Sequence, residues 1–285
     1  MITQIEKNSA IIFTIPKNEI EKIDFALCEQ PKETIDHYYN RQTNKPTLIC
    51  NGGFFNMSDG ATIFNYKDNG FPISTCPSYK EGMGIKNDST LEFGLLNDSY
   101  KDFISGYPVL IKDGKAVNTF IGSELDYNAK RTVIGYNNEN VFIVLVKSPG
   151  MNFTTLKTFL LQLGITYAIN LDGGGSVRCL YNGKRVTEDT YNRPVDNVVC
   201  IYTKPAEKII YRVQVGAYRV KANAETMQNA IRRLPDTINA GYAKAYVKLI
   251  DGLYKVQIGA FSKKENAQKV LNDLKAKGYS AFIAK

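Results

Sequence analysis

The clearest pattern of apolar and polar positions in the chain occurs twice near its C-terminus. It is seen in YRVQVGAY, residues 211–218, and again in YKVQIGAF, residues 254–261, at an offset of 43 residues. Apolar and polar side chains alternate in both copies, as they do along a half-buried strand. A helical pattern follows each copy, so the repeat predicts two successive strand–helix units.

The helical patterns predict the rest of this region. Apolar residues form one face of each helix: Met227, Ala230, Ile231 and Leu234 in the first, and Ala267, Val270, Leu271 and Leu274 in the second. Ser262 and Glu265 have capping-box spacing at the start of the second helix, and Gly278 marks its end. With closing strands over 243–250 and 279–283, the order β-α-β-β-α-β predicts a four-stranded antiparallel, ferredoxin-like sheet with both helices on one face.

The first 203 residues combine short, strand-like apolar runs with glycine-rich loops. The runs include residues 47–49, 167–169 and 198–202. A polar stretch with a proline follows the last run, which predicts a linker at 204–210 between a domain of residues 1–203 and a domain of residues 211–285. The fold class expected for the chain is α+β, with a mixed α/β domain ahead of the small β-α-β-β-α-β domain.

The loop after the apolar run at 167–169 has the composition of a binding site. Its residues are Asn170, Leu171, Asp172, Gly173, Gly174, Gly175 and Ser176. Consecutive glycines lose backbone entropy and offer no side chain to pack, so they favour a place where backbone N–H groups approach an anion or a sugar. The alternative is an Asx turn that ends the strand.

A second glycine-rich loop follows the run at 47–49. It reads CNGGFFN, residues 50–56. Gly52 and Gly53 are expected to leave backbone N–H groups free, and Asn51 and Asn56 to offer side-chain amides to hydroxyl groups. An ordinary Asn-Gly-Gly turn is the alternative.

Two arginines are further candidates for a binding site. Arg131 lies in KRTVIG, residues 130–135, and Arg193 lies in NRPVDN, residues 192–197. A guanidinium group can hold a phosphate or carboxylate through two parallel hydrogen bonds, although a surface cap and an edge strand are the respective alternatives. Two arginines, two glycine-rich loops and Asp172 together suit a polyol joined to a phosphate.

Charge is distributed unevenly along the chain. Residues 204–285 hold 16 Lys/Arg and 6 Asp/Glu, a balance of +10, whereas residues 1–203 hold 20 and 22, a balance of −2. A basic second domain indicates a polyanionic or acidic partner. No apolar run reaches the ~18 residues of a membrane span, and the first residues lack a secretory signal pattern. We therefore expect no membrane span and synthesis in the cytoplasm.

Cysteine and histidine usage limits the chemistry further. The five cysteines are odd in number and lack metal-type spacing, which favours buried, reduced thiols over a disulfide framework. His37 is the only histidine and lies in a polar stretch, so we expect it on the surface. Asp59 has oxygen-bearing neighbours but no EF-hand spacing. The sequence thus assigns no metal ligands and no cofactor, and it leaves metal dependence open.

The motifs of the first domain, in chain order, resemble those of the phosphodiester glycosidase (NAGPA-type) family. They are NGGFF at 51–55, SGYP at 105–108, RTVIG at 131–135, LDGGGS at 171–176 and RPV at 193–195. The similarity covers most of residues 45–203, whereas residues 1–44 match little. The resemblance implies hydrolysis of a sugar-1-phosphodiester between the anomeric carbon and the phosphate oxygen, with an N-acetylglucosamine-type sugar.

The resemblance implies that Asn51, Arg131, Asp172, Ser176 and Arg193 are the functional residues, and the roles that follow are a physical hypothesis. Arg131 and Arg193 would hold the phosphate and stabilise it as a leaving group. Asp172 would serve as general base for water or hold sugar hydroxyls. The two glycine-rich loops would complete the substrate site through the backbone N–H groups of the glycines and the side chains of the other residues. The substrate-binding residues would be Asn51, Gly52, Gly53, Asn56, Gly173, Gly174, Gly175 and Ser176.

Two points stay open in this assignment. Glycosidases ordinarily use two carboxylates, and Asp59, Glu188 and Asp196 are all candidates for the second. Lys147 stands before a glycine where an acidic residue is expected, which indicates a different sugar preference. The stereochemical outcome is not predicted.

The second domain closely resembles the SPOR (sporulation-related repeat) domain over essentially all of residues 210–285. The resemblance implies binding to peptidoglycan glycan strands that lack stem peptides. Tyr218 and Phe261 are candidate platforms for sugar rings, with a core role as the alternative. RNA-recognition modules share this fold, but their central aromatic motif is missing, so we expect no nucleic-acid partner.

The combined prediction is a hydrolase, bacterial or from a phage, that acts at the bacterial cell wall. Its partners would be peptidoglycan and a wall glycan or glycosyl phosphodiester polymer, such as a teichoic acid or capsular polymer. The alternatives are a non-catalytic wall-binding protein and a phage lysis-type peptidoglycan hydrolase.

Overall fold

The computed structural model describes residues 2–118, 126–187, 192–205 and 209–284. The chain divides into two compact units, Met1–Pro205 and Ala206–Lys285. Strands account for 43% of the chain and helices for 19%, which confirms the predicted α+β class. Among the described residues, no helix is both long enough and apolar enough to cross a membrane.

The first unit is built mainly from strands. Its elements are β1 (Thr3–Lys7), β2 (Ala10–Pro16), β3 (Ile20–Leu27), α1 (Ile35–Arg41), β4 (Leu48–Asn51), β5 (Tyr66–Asp68), β6 (Phe71–Ser74), β7 (Glu81–Ile85), β8 (Leu91–Leu95), β9 (Asp102–Ser105), β10 (Val109–Lys112), β11 (Lys115–Ala116), β12 (Ala129–Tyr136), β13 (Asn140–Met151), α2 (Phe153–Gln162), β14 (Tyr167–Asn170), β15 (Cys179–Tyr181), β16 (Lys184–Arg185) and β17 (Asn197–Thr203). The three predicted apolar runs are found as β4, β14 and β17.

These strands form three antiparallel sheets. The first has the order β1-β2-β13-β12-β14-β10-β11, the second β16-β15-β4-β17-β3, and the third β6-β5-β9-β7-β8. Strand β2 pairs with β13, and β3 pairs with β17. Strands β1, β2 and β3, which precede the first family motif at residue 51, therefore complete two of the three sheets.

The first sheet is buried on both faces, as strand β13 illustrates. Val141, Ile143 and Leu145 face a core to which all three sheets contribute. The alternate residues of β13 face a second core beneath α2. A third cluster lies between the second sheet and α1. Because both faces of β13 are apolar, its sequence is a continuous apolar run rather than an alternating one.

Strand β3 lies at the edge of the second sheet, where side chains of the third sheet bind two of its N–H groups. The Phe25 N–H donates to Asp102 Oδ2 at 3.4 Å, and the Leu27 N–H donates to Asp68 Oδ2 at 3.3 Å. Burial raises the pKa of both carboxyl groups above the ordinary aspartate value. Carboxylates thus attach the third sheet to an edge that is otherwise open to pairing.

The cysteine and histidine predictions are confirmed. All five cysteines are free thiols, and all except Cys76 are buried. Burial raises the pKa of the Cys50, Cys179 and Cys200 thiols, so they stay protonated and unreactive. The His37 side chain is 64% exposed.

The second unit has the predicted order of elements. They are β18 (Tyr211–Tyr218), α3 (Lys221–Arg232), β19 (Tyr246–Ile250), β20 (Leu253–Phe261), α4 (Lys264–Ala276) and β21 (Phe282–Ala284). The sheet is antiparallel in the order β19-β20-β18-β21, and the predicted apolar face of α4 is buried.

Three local predictions in this unit were wrong, and one of them is the last strand, which was expected at 279–283 and is found at Phe282–Ala284. Lys263 occupies the N-cap of α4, one residue later than the capping box requires, and no side chain caps the helix. The predicted strand at 243–250 starts only at Tyr246, because a 3-10 turn at Tyr242–Lys244 precedes it. The end of α4 is as predicted, since Gly278 adopts a φ of +85°.

Candidate active site

The triple-glycine loop leaves the middle of the first sheet at the end of β14. The Leu171 N–H donates to the Thr132 carbonyl at 2.8 Å, and the Asp172 N–H donates to the Gly52 carbonyl at 3.1 Å. Residues Gly174–Ser176 then form a 3-10 turn. Asp172 is therefore held where the chain passes from the first sheet towards the second.

Glycine is favoured at each of the three positions for a different physical reason. A Cβ at Gly173 would lie 2.6 Å from the Lys130 carbonyl oxygen. Gly174 has a φ of +57°, in the left-handed region that favours glycine. A Cβ at Gly175 would lie 2.6 Å from Cζ of Arg193, so the Arg193 guanidinium rests directly against the loop backbone.

The carboxyl group of Asp172 is subject to opposing effects. Burial raises its pKa above the ordinary value. The Gly173 N–H, which donates to Oδ1 at 2.8 Å, and the positive charge of Arg193 act in the opposite direction and favour the charged form. Ser176 also lies close enough to lower the pKa, although no well-aligned hydrogen bond joins the two side chains.

Two polar atoms beside Asp172 are buried without a hydrogen-bond partner in the described part of the chain. They are Nε of Arg193 and Oγ of Ser176. A buried donor without a partner costs about 1–3 kcal/mol, so such atoms are unusual unless a ligand satisfies them. The pair offers one guanidinium donor and one hydroxyl to a phosphate or sugar oxygen.

Arg131 lies on β12, the strand next to β14. Its guanidinium carbon is 4.0 Å from the centre of the Phe153 ring, and Nη2 donates to the Tyr127 carbonyl at 3.0 Å. Burial lowers its pKa, but an arginine stays charged under all ordinary conditions. Lys147, where the sequence predicts an acid, instead forms an ion pair with Glu6.

Asn51 is fully buried, and protein groups occupy its amide. Nδ2 donates to the Asp172 carbonyl at 2.7 Å, while Oδ1 accepts from Thr132 Oγ1 at 2.8 Å and from the Arg178 N–H at 3.3 Å. The Asn51 amide is therefore not free to bind a substrate hydroxyl, contrary to the expectation from the sequence. Asn51 instead fixes the backbone of Asp172 to β12 and to Arg178, the residue that precedes β15.

The N–H groups of Gly52 and Gly53 are also occupied, contrary to the expectation that they are free. Gly52 donates to the Asn197 carbonyl at 2.9 Å and Gly53 to Asn197 Oδ1 at 2.6 Å. A Cβ at Gly52 would lie 2.0 Å from that Oδ1. The glycines thus permit close packing against Asn197, a residue that sequence reasoning did not assign. Its only sequence signal is its place at the end of the Arg193 motif.

Asn56 lies in an exposed turn and not in the cluster around Asp172. Its Oδ1 accepts from the Ser58 N–H at 3.0 Å and from Ser58 Oγ at 2.9 Å. Its Nδ2 donates to Asp59 Oδ2 at 3.3 Å. These bonds describe a self-contained Asx turn.

The second carboxylate stays unassigned. Asp59 belongs to the same exposed turn, where its Oδ1 accepts from the Ala61 N–H at 2.9 Å. Asp196 is 1% exposed, and three side chains donate to it: Gln30, Thr62 and Asn197. Glu188 lies outside the described residues. Both described candidates are therefore engaged in holding loops.

One group of side chains in the described residues has ligand atoms close enough for a metal ion. Glu29, Glu33 and His37 lie where β3 leads into α1. Glu33 already accepts two hydrogen bonds of 2.8 Å from Arg41. A cation would have to displace this bidentate pair, so the group is explained as an ion-pair network.

In the second unit, Tyr218 and Phe261 occupy equivalent places in the repeat. A Cβ at Gly216 would lie 2.5 Å from the Tyr218 ring, and a Cβ at Gly259 would lie 2.2 Å from the Phe261 ring. Each ring thus covers the glycine two residues before it, and both are half-buried against the core. Their role as sugar platforms stays a prediction.

Fold and site together define the class of protein. The first unit gathers a buried carboxyl group, an arginine and glycine backbone around one loop, and a small β-α-β-β-α-β domain follows. The chain belongs to the phosphodiester glycosidase family, whose sequence model matches residues 33–202. The model of the SPOR domain matches residues 208–285.

Individual relatives agree with this assignment. The chain is 26% identical over 193 residues to the bovine N-acetylglucosamine-1-phosphodiester alpha-N-acetylglucosaminidase and 27% identical over 192 residues to the mouse enzyme. The match covers 55% and 54% of this chain but only 37% of each relative. The chain thus matches little more than a third of the length of these relatives.

Solved structures share the fold of the first unit. The catalytic domain of the zebrafish N-acetylglucosamine-1-phosphodiester alpha-N-acetylglucosaminidase matches with a TM-score of 0.58 and 21% identity, covering 72% of this chain and 82% of that chain. A hypothetical protein from Synechocystis matches with a TM-score of 0.60 and 12% identity, covering 71% and 61%. At these identities the likeness concerns the fold.

Proposed function

We propose that the first unit hydrolyses a glycosyl-1-phosphodiester in a polymer of the bacterial cell wall, with an N-acetylglucosamine-type sugar at the scissile bond. The observation that carries this proposal is the arrangement of Asp172 beside the guanidinium of Arg193, which rests on Gly175. The curated relatives carry names that specify this reaction type.

The residues divide the chemistry between them. Arg193 and Ser176 bind the phosphate, which leaves as a weakly basic anion and needs little help from a general acid. Asp172 takes a proton from the attacking water. Burial raises the pKa of its carboxyl group and so makes the carboxylate a stronger base than a free aspartate, while Ser176, the Gly173 N–H and the charge of Arg193 act in the opposite direction and favour the charged form.

The second unit tethers the enzyme to peptidoglycan. Family membership and the balance of +10 over residues 204–285 support this role, because glycan strands in the wall lie among anionic polymers. We propose that the protein is made in the cytoplasm and acts at the wall.

Turnover of uridine-diphosphate-N-acetylglucosamine tests the proposal. Wild type should release N-acetylglucosamine, and Asp172→Asn should be slower by about 10²–10⁴-fold, the range of general-base catalysis. The matched control is Asp88→Asn in an exposed turn, which should leave turnover unchanged. Equal rates for wild type and Asp172→Asn would rule out the assigned role of Asp172.

The same variant separates an enzyme from a wall-binding protein without activity. Asp172→Asn should sediment with purified walls as fully as wild type does, because the proposed tether lies in the second unit. A wild type that binds walls but hydrolyses neither walls nor the small diester would favour the non-catalytic alternative.

A further inference from the structure

Four aromatic rings form a continuous, half-buried strip on the first unit. Ring centroids are 5.2 Å apart for Phe54 and Phe64, 4.1 Å for Phe64 and Tyr79, and 5.1 Å for Tyr79 and Tyr107. Within the described residues, none of the four is among the side chains that form the cores of this unit or pack against them. Large rings that line up outside a core form a surface suited to binding.

Both ends of this aromatic strip lie in loops that are hydrogen-bonded to the segment that carries Asp172. The Gly52 carbonyl, two residues before Phe54, accepts from the Asp172 N–H at 3.1 Å. At the other end, Asn170 Nδ2 donates to the Tyr107 carbonyl at 2.8 Å, and the Tyr107 N–H donates to the Asn170 carbonyl at 3.0 Å. The strip therefore runs between two loops that flank the candidate active site.

A buried amide holds the middle of the strip in place. Asn65 Oδ1 accepts from the Cys76 N–H at 2.7 Å, and Nδ2 donates to the carbonyls of Cys76 and Tyr79. The Asn65 N–H donates to Ser105 Oγ at 2.8 Å, which connects this network to β9. The loop that carries Tyr79 is thus fixed before any ligand arrives, which favours tight binding.

Phe64 adopts a φ of +71°, in the left-handed region. This conformation is rare for a bulky side chain and persists only where the surrounding structure imposes it, most often at functional sites. Here the Ile63 N–H donates to the Phe54 carbonyl at 2.9 Å, while Asn65 is held as described. The backbone on both sides therefore keeps the Phe64 ring between Phe54 and Tyr79.

Tyr79 and Tyr107 line a cleft of about 410 Å³ together with polar side chains, among them Ser78, Lys80 and Glu81. This volume lies in the range of ~300–1,000 Å³ that is typical of ligand sites. A pyranose ring has an apolar face of C–H groups that packs on an aromatic ring, and a rim of hydroxyl groups that needs polar partners. The cleft offers both surfaces.

We propose that the aromatic strip is a subsite for sugar residues of the substrate that lie beyond the scissile phosphodiester. The first unit would then prefer a glycan polymer to a short diester. This inference rests on the proposed function for the position of the bond that is cut.

A single tryptophan tests the subsite independently of turnover. The chain contains no tryptophan, so Tyr79→Trp in the full chain places the sole indole in the strip. Titration with N,N′,N″-triacetylchitotriose should change its emission and reach saturation. Phe71→Trp is the matched control, because Phe71 is 72% exposed on β6 and outside the strip; its emission should stay constant. No saturable change for Tyr79→Trp, or equal changes for both variants, would overturn the proposal.

Kinetics with two substrates provide the second test. For wild type, kcat/KM is compared between purified wall polymer and uridine-diphosphate-N-acetylglucosamine. Tyr79→Ala and Tyr107→Ala should lower the polymer-to-small-diester ratio by about tenfold, equivalent to ~1.4 kcal/mol. Phe71→Ala should keep the ratio. A ratio unchanged in the two tyrosine variants contradicts the subsite. If wild type hydrolyses neither substrate, the proposed function fails, and the fluorescence titration alone decides on the strip.

Discussion

Asp172 combines a buried carboxyl group with a nearby positive charge, and the balance between them sets both reactivity and stability. Burial disfavours the charged form, whereas the Gly173 N–H and Arg193 favour it. The net effect is a raised pKa. A carboxyl group of this kind lowers the stability of the folded protein at neutral pH, as active-site groups commonly do.

Asp172→Asn should therefore be more stable than wild type at pH 7. Because the folded pKa is raised, the stabilising contribution of the aspartic acid is complete below the unfolded value of about 3.9 and is lost as pH rises through the folded pKa. Asparagine does not titrate in this range. Thermal unfolding of the first unit should show a higher midpoint for Asp172→Asn than for wild type at pH 7, and this gain should vanish near pH 3.5. A gain of equal size at both pH values would contradict this account.

Gly175→Ala tests the contact between the loop and Arg193. The new methyl group would lie 2.6 Å from the guanidinium carbon, so the arginine must move. Its side chain is flexible, and we expect less than about 1 kcal/mol of destabilisation but a loss of kcat/KM of about 10²–10³-fold, as when one donor to a developing charge is removed. Thermal unfolding measures the change in stability, and turnover of the small diester measures the change in kcat/KM.

Arg193→Lys should lose a similar amount of activity, because lysine cannot bind a phosphate in bidentate fashion. Full activity in both variants would exclude Arg193 from phosphate binding.

At the scale of elements, the attachment of the third sheet to β3 depends on buried carboxylates. Asp102→Ala would leave the Phe25 and Asn69 N–H groups without their acceptor. We expect a loss of about 1–3 kcal/mol in the free energy of unfolding of the first unit, measured by urea denaturation. Asp98→Ala is the control, since Asp98 is exposed, and it should stay within about 0.5 kcal/mol of wild type. Equal effects of the two changes would show that the attachment is not important.

The sequence predicts some elements better than others for physical reasons. In the second unit, each strand of the repeat alternates and precedes an amphipathic helix, so local pattern is sufficient to predict the order. In the first unit, β2 pairs with β13 and β3 with β17, and nothing local in these strands specifies such distant partners. Only the geometry of the fold determines them.

In the candidate site too, the sequence predicts some residues, whereas the roles of others depend on the fold. Asp172 and the three glycines stand out because their backbone requirements are visible in the sequence. The roles of Asn51 and Asn197 are not, because both depend on hydrogen bonds between segments far apart in the chain. An asparagine next to two glycines looks the same whether its amide meets a substrate or a neighbouring strand.

At the scale of the whole molecule, Gly259→Ala should separate wall retention from turnover. Its new Cβ would lie 2.2 Å from the Phe261 ring, at a φ of +70° that alanine adopts only with strain. We expect the second unit to lose about 1–3 kcal/mol of stability and the protein to sediment less with walls, with unchanged turnover of the small diester.

Gly252→Ala is the matched control for this change. Gly252 has a φ of +74°, yet nothing lies within 4 Å of the position that a Cβ would occupy, so the variant carries the backbone strain without the ring contact. It should lose less stability than Gly259→Ala. Equal losses would show that the Phe261 ring does not matter, and reduced turnover in either variant would contradict independent roles for the two units.

The most direct test of the central claim is to incubate the protein with purified cell walls and to identify the released sugars by mass spectrometry. Walls with and without teichoic acid are compared, using wild type and Asp172→Asn. We predict that wild type releases sugar from teichoic-acid-containing walls only, that it creates no reducing ends in teichoic-acid-free walls, and that Asp172→Asn releases almost none. Release of new reducing ends from teichoic-acid-free walls, or no release from either, would contradict the assignment of a wall glycosyl phosphodiester as substrate.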